Sequence, residues 1–130
     1  MSTPIVFISH FKVKEGKLEG LKAQAQMMIE LIKAEKPGTL AFLQYLNGDE
    51  TELSIVHVFP DADAFDQHSA GTAERARAAY EFIESTRREL YGMPSEKTLA
   101  MMTMRPSDAP EVEFHHKPKH MGGYIRFRPE

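Results

Sequence analysis

The sequence predicts a single α+β domain with one antiparallel sheet, and two features of the chain indicate this fold class. Three short segments, residues 5–11, 39–46 and 52–59, carry apolar side chains at both odd and even positions. Two longer segments repeat their apolar residues at helical spacing. Because successive side chains of a strand point to opposite faces, two helices cover only one face of such a sheet. We therefore expect a second copy of the chain on the other face, as in a homodimer.

Composition narrows the classes of function. The 130 residues suffice for one domain with a hydrophobic core, and a net charge of −3 without a basic stripe argues against nucleic-acid binding. The absence of cysteine excludes disulfides, thiolate catalysis and cysteine-based metal sites. The N-terminal residues are typical of a first strand rather than a signal peptide, and no apolar run is long enough to span a membrane. We expect a cytoplasmic protein.

The first half of the chain predicts a strand, a helix and a hairpin. Residues 5–12 form the strand. Residues 17–35 form the helix, in which apolar side chains recur three or four positions apart (Leu18, Leu21, Ala25, Met28 and Ile32). Lys36-Pro37-Gly38 ends the helix, since proline cannot continue it. Residues 39–47 and 51–60 form two strands whose short connection suits an antiparallel hairpin.

The second half predicts a short helix, a long helix and a last strand. Asp61 is a suitable N-cap for a short helix over residues 61–69, and Gly71 interrupts it. Apolar spacing predicts the long helix over residues 72–90, and residues 96–104 predict the strand. The resulting order, β-α-β-β-α-β, is the ferredoxin-like arrangement.

The last part of the chain differs in composition. Residues 1–104 are predicted to form the domain and residues 105–130 a tail, which holds three histidines and a glycine pair. Residues 124–128 alternate like a short exposed strand. Two interpretations are open: a partly ordered tail, or a tail that packs on a partner subunit.

His57 is the first candidate for chemistry. It shares a strand face with Leu53, Ile55 and Phe59. Desolvation lowers the pKa of a histidine among apolar neighbours and keeps it a neutral base at working pH. Either His57 faces a substrate as a base, or it is a core histidine that hydrogen-bonds a neighbour.

Other polar and aromatic residues complete the predicted site. His68, the second catalytic candidate, either acts on a bound polar group or stabilises the C-terminus of the short helix. Ser9 and Tyr45 are single polar groups on largely apolar strand faces, which is typical of small-molecule pockets and of ordinary cores. The predicted aromatic walls are Phe7, Phe59 and Phe65.

Metal binding is not expected. His115, His116 and His120 supply imidazoles, but the lysines between them repel a cation and no acidic ligand is fixed nearby. The sequence also lacks a nucleophile elbow, a phosphate-binding glycine loop and a dinucleotide fingerprint.

Three pieces of the sequence together carry a family resemblance. They are residues 13–17 (VKEGK) ahead of the first helix, residues 35–40 (EKPGTL) at the second strand, and residues 54–59 followed by 61–65 (DADAF) with His68 beyond. Over residues 4–104 this pattern resembles the antibiotic biosynthesis monooxygenase family, the dimeric α+β barrels.

The resemblance implies a homodimer formed through the sheets. For some members it implies oxidation of polycyclic phenols by molecular oxygen without a cofactor. A base or polar group helps to deprotonate the substrate, and the electron-rich anion then reacts with oxygen itself. Other members of the family degrade haem. These members carry an asparagine on the first strand at the position of Ser9 in this chain, so the resemblance does not lead us to expect haem degradation. Active members often have tryptophan where this chain has Phe59.

The sequence thus predicts a cofactor-independent monooxygenase that acts on a small aromatic or quinol-type substrate. His57 is the expected base or polarising group, and no cofactor is expected. A non-catalytic homodimer that binds a small apolar or aromatic ligand is the first alternative, and a purely structural module is the second.

Overall fold

The computed structural model describes residues 3–103 and 112–126. In chain order the elements are β1 (Ile5–Val13), α1 (Leu18–Glu35), β2 (Ala41–Leu46), β3 (Glu52–Phe59), α2 (Ala62–Ser69), α3 (Thr72–Ala79), β4 (Ile83–Tyr91), α4 (Glu96–Thr103) and β5 (Glu113–Lys117). The strands form one sheet in the order β2-β3-β1-β4-β5. All neighbours are antiparallel except β4 and β5, which are parallel. The predicted α+β ferredoxin-like fold is confirmed.

The long helix predicted over residues 72–90 is wrong in its second half. Helix α3 ends at Ala79, and strand β4 begins at Ile83. The turn between them is closed by the Phe82 N–H, which donates to the Ala79 carbonyl at 2.9 Å. It contains neither glycine nor proline, so the sequence does not mark it. Pairing of β4 with residues 6–13 of β1 overrides the local helical spacing.

The strand predicted over residues 96–104 is also wrong, because residues 96–103 form helix α4. Residue 104 lies outside the described residues. The Ser95 hydroxyl accepts a hydrogen bond from the Thr98 N–H at 3.2 Å, as a helix N-cap does. The fourth strand of the sheet is instead β4, which lies beside β1.

Part of the predicted tail joins the sheet as β5. Arg87 to Tyr91 of β4 pair in parallel with Glu113 to Lys117. The short strand predicted over residues 124–128 is not found over 124–126, and residues 127 and 128 lie outside the described residues. Packing of the tail on a partner subunit stays a prediction.

Two core clusters lie on the same face of the sheet, one near each end. The first contains Ile5, Phe59, Ala64, Phe65 and Leu90. The second contains Val13, Leu21, Leu53 and Ile83. All four described helices contribute side chains to one cluster or the other. The helices therefore cover this face, which we call the helix face.

The opposite face, which we call the open face, carries the alternate side chains. On β2 these include Leu43 and Tyr45, which are 46% and 57% exposed. Val6 and Ile8 of β1 and Val56 of β3 are half-buried. Neither core cluster includes a side chain of the open face. None of the helices within residues 3–103 and 112–126 is long and apolar enough to cross a membrane.

Candidate active site

A cavity of about 290 Å³ lies on the helix face between the two core clusters. Strands β1 to β4 form its floor, and side chains of all four helices form its walls. Five of the seven predicted site residues line it: Phe7, Ser9, His57, Phe65 and His68. The structure thus brings together most of the predicted site in one place.

The other two predicted residues do not line the cavity. Phe59 is fully buried behind it and stacks on Phe65, with ring centroids 4.8 Å apart. Tyr45 lies on the open face, because it pairs with Ser54 while Phe42 on the other side of β2 pairs with His57. Pleat alternation separates Tyr45 from the rest of the site.

His57 lies at the cavity floor, where β3 pairs with β1. It is 6% exposed, and its Nδ1–H donates to the Phe7 carbonyl oxygen at 2.9 Å. Because a carbonyl only accepts, the proton lies on Nδ1 and Nε2 carries a lone pair. Nε2 makes no hydrogen bond to any described residue. No fully buried side-chain nitrogen in the described part of the chain lacks a partner, so Nε2 is open to the cavity.

The apolar surroundings keep His57 neutral. Burial lowers its pKa from 6.5 to about 4, and the positive charge of Arg75 acts in the same direction. The hydrogen bond to the Phe7 carbonyl opposes this lowering without cancelling it. At neutral pH His57 is therefore an uncharged imidazole.

His68 reaches the same point from helix α2. The Asp61 side chain starts this helix, because its Oδ1 accepts from the Ala64 N–H at 2.9 Å. His68 Nδ1 is hydrogen-bonded to the Thr39 hydroxyl at 2.8 Å. Burial, followed by the charge of a protonated His57 and then Arg75, lowers the pKa of His68 to about 3. His68 is neutral as well.

Residues other than His68 bind the carbonyl groups at the C-terminus of α2. Arg75 donates to the carbonyls of His68 at 2.5 Å and Ala70 at 3.0 Å. Lys36 donates to the carbonyls of Gln67 at 2.7 Å and Ala70 at 3.1 Å. These two cations satisfy the last carbonyls of α2, a favourable arrangement at a helix C-terminus.

Aromatic rings surround the two imidazoles. The ring centroid of Phe7 lies 5.2 Å from that of His57 and 5.6 Å from that of Phe65. Phe42 lies edge-on to His57 at 5.2 Å. Such a site gives a flat apolar molecule both ring contacts and one hydrogen-bond acceptor.

Sequence reasoning missed several lining residues, including Phe42, Arg75 and Arg88. Arg88 was hidden by the wrong helix over residues 72–90. Phe42 could have been found from its even-numbered position on β2. Once the hairpin register is known, this position places Phe42 on the same face of the sheet as His57. Within residues 3–103 and 112–126, no three histidine or acidic side chains lie close enough to hold a metal ion.

Comparison with known proteins relates this geometry to a family. The profile of the antibiotic biosynthesis monooxygenase family matches residues 4–88. The fold is similar to MupZ from Pseudomonas fluorescens (TM-score 0.71, 24% identity, 95% of this chain and 91% of that chain). It is also similar to SnoaB, a cofactor-independent oxygenase from Streptomyces nogalater (TM-score 0.60, 20% identity, 72% and 96%).

Protein SO0527 from Shewanella oneidensis is a further similar structure (TM-score 0.56, 29% identity, 69% of this chain and 88% of that chain). A search of functionally curated proteins found no significant match. The family profile covers well over half of the 130 residues. The chain belongs to the antibiotic biosynthesis monooxygenase family.

Proposed function

We propose that this protein is a cofactor-independent monooxygenase that oxidises a small aromatic or quinol-type substrate with molecular oxygen. The observation that carries the proposal is the unprotonated Nε2 of His57, which is open to an aromatic-lined cavity. Membership of the antibiotic biosynthesis monooxygenase family supports it at the level of reaction type. The similarity in fold to SnoaB, a cofactor-independent oxygenase, supports it in the same way.

The proposed reaction converts a phenol with a free para position into a para-quinone. His57 Nε2 accepts the hydroxyl proton, and the phenolate passes one electron to oxygen. The two radicals combine to form a carbon–oxygen bond at the para carbon, and the resulting peroxide takes up the proton from His57. Loss of water breaks the para carbon–hydrogen and oxygen–oxygen bonds, so one oxygen atom enters the quinone and the other leaves as water. The cavity contributes orientation and exclusion of bulk water.

The low pKa of His57 limits which substrates it can activate. A phenol has a pKa of about 10, so transfer of its proton to an imidazole whose conjugate acid has a pKa of about 4 is uphill by ~8 kcal/mol. Attraction between the phenolate and the new imidazolium offsets part of this cost. Substrates with acidified hydroxyls are therefore the best candidates.

His68 and the phenyl rings have supporting roles in this proposal. His68, held by the Thr39 hydroxyl, orients a second polar group of the substrate beside His57. Phe7, Phe42 and Phe65 hold the substrate ring against the sheet.

A non-catalytic binding protein of the same fold is the second candidate. It is favoured by one observation: no carboxylate in the described part of the chain is hydrogen-bonded to His57 or His68. A carboxylate partner raises the basicity of histidine in many enzymes, and here a carbonyl and a hydroxyl take its place.

Oxygen uptake separates the two candidates. An oxygen electrode would record consumption with a panel of anthrones and of naphthols with a free para position, corrected for autoxidation without protein. We expect the wild type to accelerate uptake for at least one compound, and His57→Phe to remove the acceleration while keeping the aromatic packing. His115→Phe, an exposed histidine on β5, is the matched control and should retain it. Stabilisation by a compound without any oxygen uptake would favour the binding protein.

We also propose that two copies of the chain pair through their open faces. Exposure of Leu43 and Tyr45 beside half-buried Val6, Ile8 and Val56 supports this arrangement, because a large exposed apolar patch is uncommon on a monomer. The cavity lies on the opposite face of the sheet, so pairing in this way leaves it accessible.

A further inference from the structure

One end of the cavity, away from His57, carries a hydroxyl and a guanidinium. Ser9 of β1 and Arg88 of β4 are opposite each other in the sheet and both line the cavity. Ser9 is 7% exposed, and no hydrogen bond of its hydroxyl to another residue is found in the described part of the chain. Because no fully buried side-chain oxygen there lacks a partner, the Ser9 hydroxyl is open to the cavity, where a ligand can supply its hydrogen bond.

Arg88 supplies positive charge at the same end. One guanidinium nitrogen, Nη1, donates to the Met102 carbonyl at the end of α4 at 3.3 Å. The other N–H groups have no partner, and no carboxylate lies within 4.0 Å, among residues 3–103 and 112–126. A guanidinium presents five donors in a fork that matches a carboxylate.

The other arginine at the cavity is committed elsewhere. Arg75 donates to two carbonyls at the end of α2 and to the Thr72 hydroxyl at 3.1 Å. The Asp66 carboxylate, which lies beside the lining residue Thr98, accepts from Ser95 at 2.8 Å and also from Thr98. Arg88 is thus the lining cation with donors left for a ligand.

The spacing of the strands separates the two ends of the cavity. His57 and Arg88 lie on strands to either side of β1, and Ser9 is two residues along β1 from Phe7, the partner of His57. With ~4.8 Å between strands and ~3.4 Å per residue, the Cα atoms of His57 and Arg88 are ~12 Å apart. A ring system fits between the two side chains.

The volume of the cavity indicates how large a ring system it holds. A dry cavity of ~150 Å³ holds one benzene molecule, and the volume here is about 290 Å³. One ring or two fused rings with a small substituent fill it.

We propose that the cavity binds a one- or two-ring aromatic acid, with the carboxylate on Arg88 and Ser9 and the ring on Phe7 and His57. The idea that such an acid is the substrate that becomes oxidised rests on the proposed function. The idea that the acid binds does not rest on it, because binding can be measured without turnover.

The test uses 2-naphthoate and 2-naphthamide, which have the same rings and differ in charge, and neither of which carries an oxidisable hydroxyl. Calorimetry gives the dissociation constant of each for the full-length protein. We expect 2-naphthoate to bind wild type at least tenfold more tightly than 2-naphthamide. Arg88→Gln should remove this preference by weakening 2-naphthoate binding far more than 2-naphthamide binding, and the 2-naphthamide binding that remains verifies that the cavity is intact. Arg88→Lys should keep part of it.

Arg87→Gln is the matched control, because Arg87 is the neighbouring residue on β4 and lies on the open face beside His10. It should keep the full preference for the acid. Equal binding of the two probes to wild type, binding of neither, or a preference that survives in Arg88→Gln would overturn the proposal. Oxygen uptake tests the reaction independently: Arg88-dependent binding without uptake contradicts only the proposed function, whereas uptake with equal affinity for both probes contradicts only the proposed ligand class.

Discussion

The imidazole rings of His57 and His68 meet almost at a right angle, with centroids 5.1 Å apart and planes inclined by 80°. Strand β3 carries one ring and helix α2 the other. Neither ring has an acidic partner in the described part of the chain, and both are kept neutral by burial. The pair therefore offers polar atoms to a ligand without placing a charge in the apolar cavity.

Acidification should destabilise the fold well before the carboxylates titrate. In the unfolded chain both histidines take up protons near pH 6.5, whereas the folded pKa values are about 4 for His57 and about 3 for His68. Between these values the unfolded state binds more protons, so stability is fully present above pH 6.5 and falls as the pH falls. For His57 alone the loss between pH 7 and pH 5 is ~2 kcal/mol. Thermal melts across this range should show the decline, and it should be shallower in His57→Phe than in His115→Phe.

The activity proposed above should have its acidic limb near the folded pKa of His57. Because only the neutral imidazole accepts a proton, kcat/KM should hold from pH 8 down to pH 5 and fall as the pH approaches about 4. Loss of a general base costs ~10²–10⁴ in rate, and His57→Phe should lose activity in that range. Initial rates of oxygen uptake against pH measure both effects. An acidic limb at pH 6.5 would show that His57 titrates as an exposed histidine.

Pairing of the open faces should depend on Leu43. In sedimentation equilibrium at micromolar concentration, the wild type should have a mass near twice the 14.8 kDa of one chain. Leu43→Lys would place a charge in the apolar contact and should shift the mass towards one chain. Lys33→Glu, an exposed change on α1, is the control and should leave the mass unchanged. A wild-type protein that sediments as a monomer would refute pairing through this face.

Gly92 should be intolerant of alanine. Its φ is 102°, and an added Cβ would lie 2.8 Å from the Pro4 carbonyl oxygen and 3.1 Å from an Ile5 side-chain carbon. Strain and overlap together should cost more than 2 kcal/mol, since a left-handed conformation alone costs ~1 kcal/mol. Gly16 also has positive φ, 75°, but its Cβ would meet nothing within 4 Å, so Gly16→Ala should show only the smaller cost. Urea denaturation of both variants would measure the difference.

The Asp61 cap should contribute to the stability of α2. Asp61→Ala removes the acceptor for the Ala64 N–H and should cost ~1 kcal/mol, whereas Asp61→Asn keeps an acceptor and should cost less. Because α2 carries Phe65 and His68, 2-naphthamide binding should weaken along with stability in the alanine variant. Equal unfolding free energies for alanine and asparagine would indicate that the cap does not stabilise the helix.

The N-terminal half of the fold could be predicted from local pattern. Helix α1 and the β2–β3 hairpin are bounded by residues with strong local preferences, such as Pro37 and Gly38, and their predicted limits agree with the structure to within a few residues. Beyond Gly71 prediction failed, because the turn after Ala79 has no glycine or proline and residues 83–91 fit a helical spacing as well as a strand. That error also concealed Arg88.

The candidate site could be predicted where alternation of side chains along a single strand determines which residues share a face. Phe7, Ser9 and His57 have the same parity relative to the sheet, and the structure places them at one cavity. Tyr45, which was predicted as a substrate-binding residue, lies on the open face, away from the cavity. The odd or even position of a residue shows which residues of its own strand share its face. It does not show which residues of the neighbouring strand lie on that face, because this depends on the hairpin register.

The sequence by itself determined the fold class, the two-sided apolar character of the strands and the burial of His57 among apolar neighbours, because side-chain alternation along a strand is a local property. The tertiary structure alone decided that β4 rather than residues 96–103 pairs with β1, that helix α2 brings His68 to His57, and that Arg88 meets Ser9 across the sheet. These outcomes depend on contacts between residues far apart in the chain. The energy of such contacts outweighs local preferences of less than ~1 kcal/mol per residue.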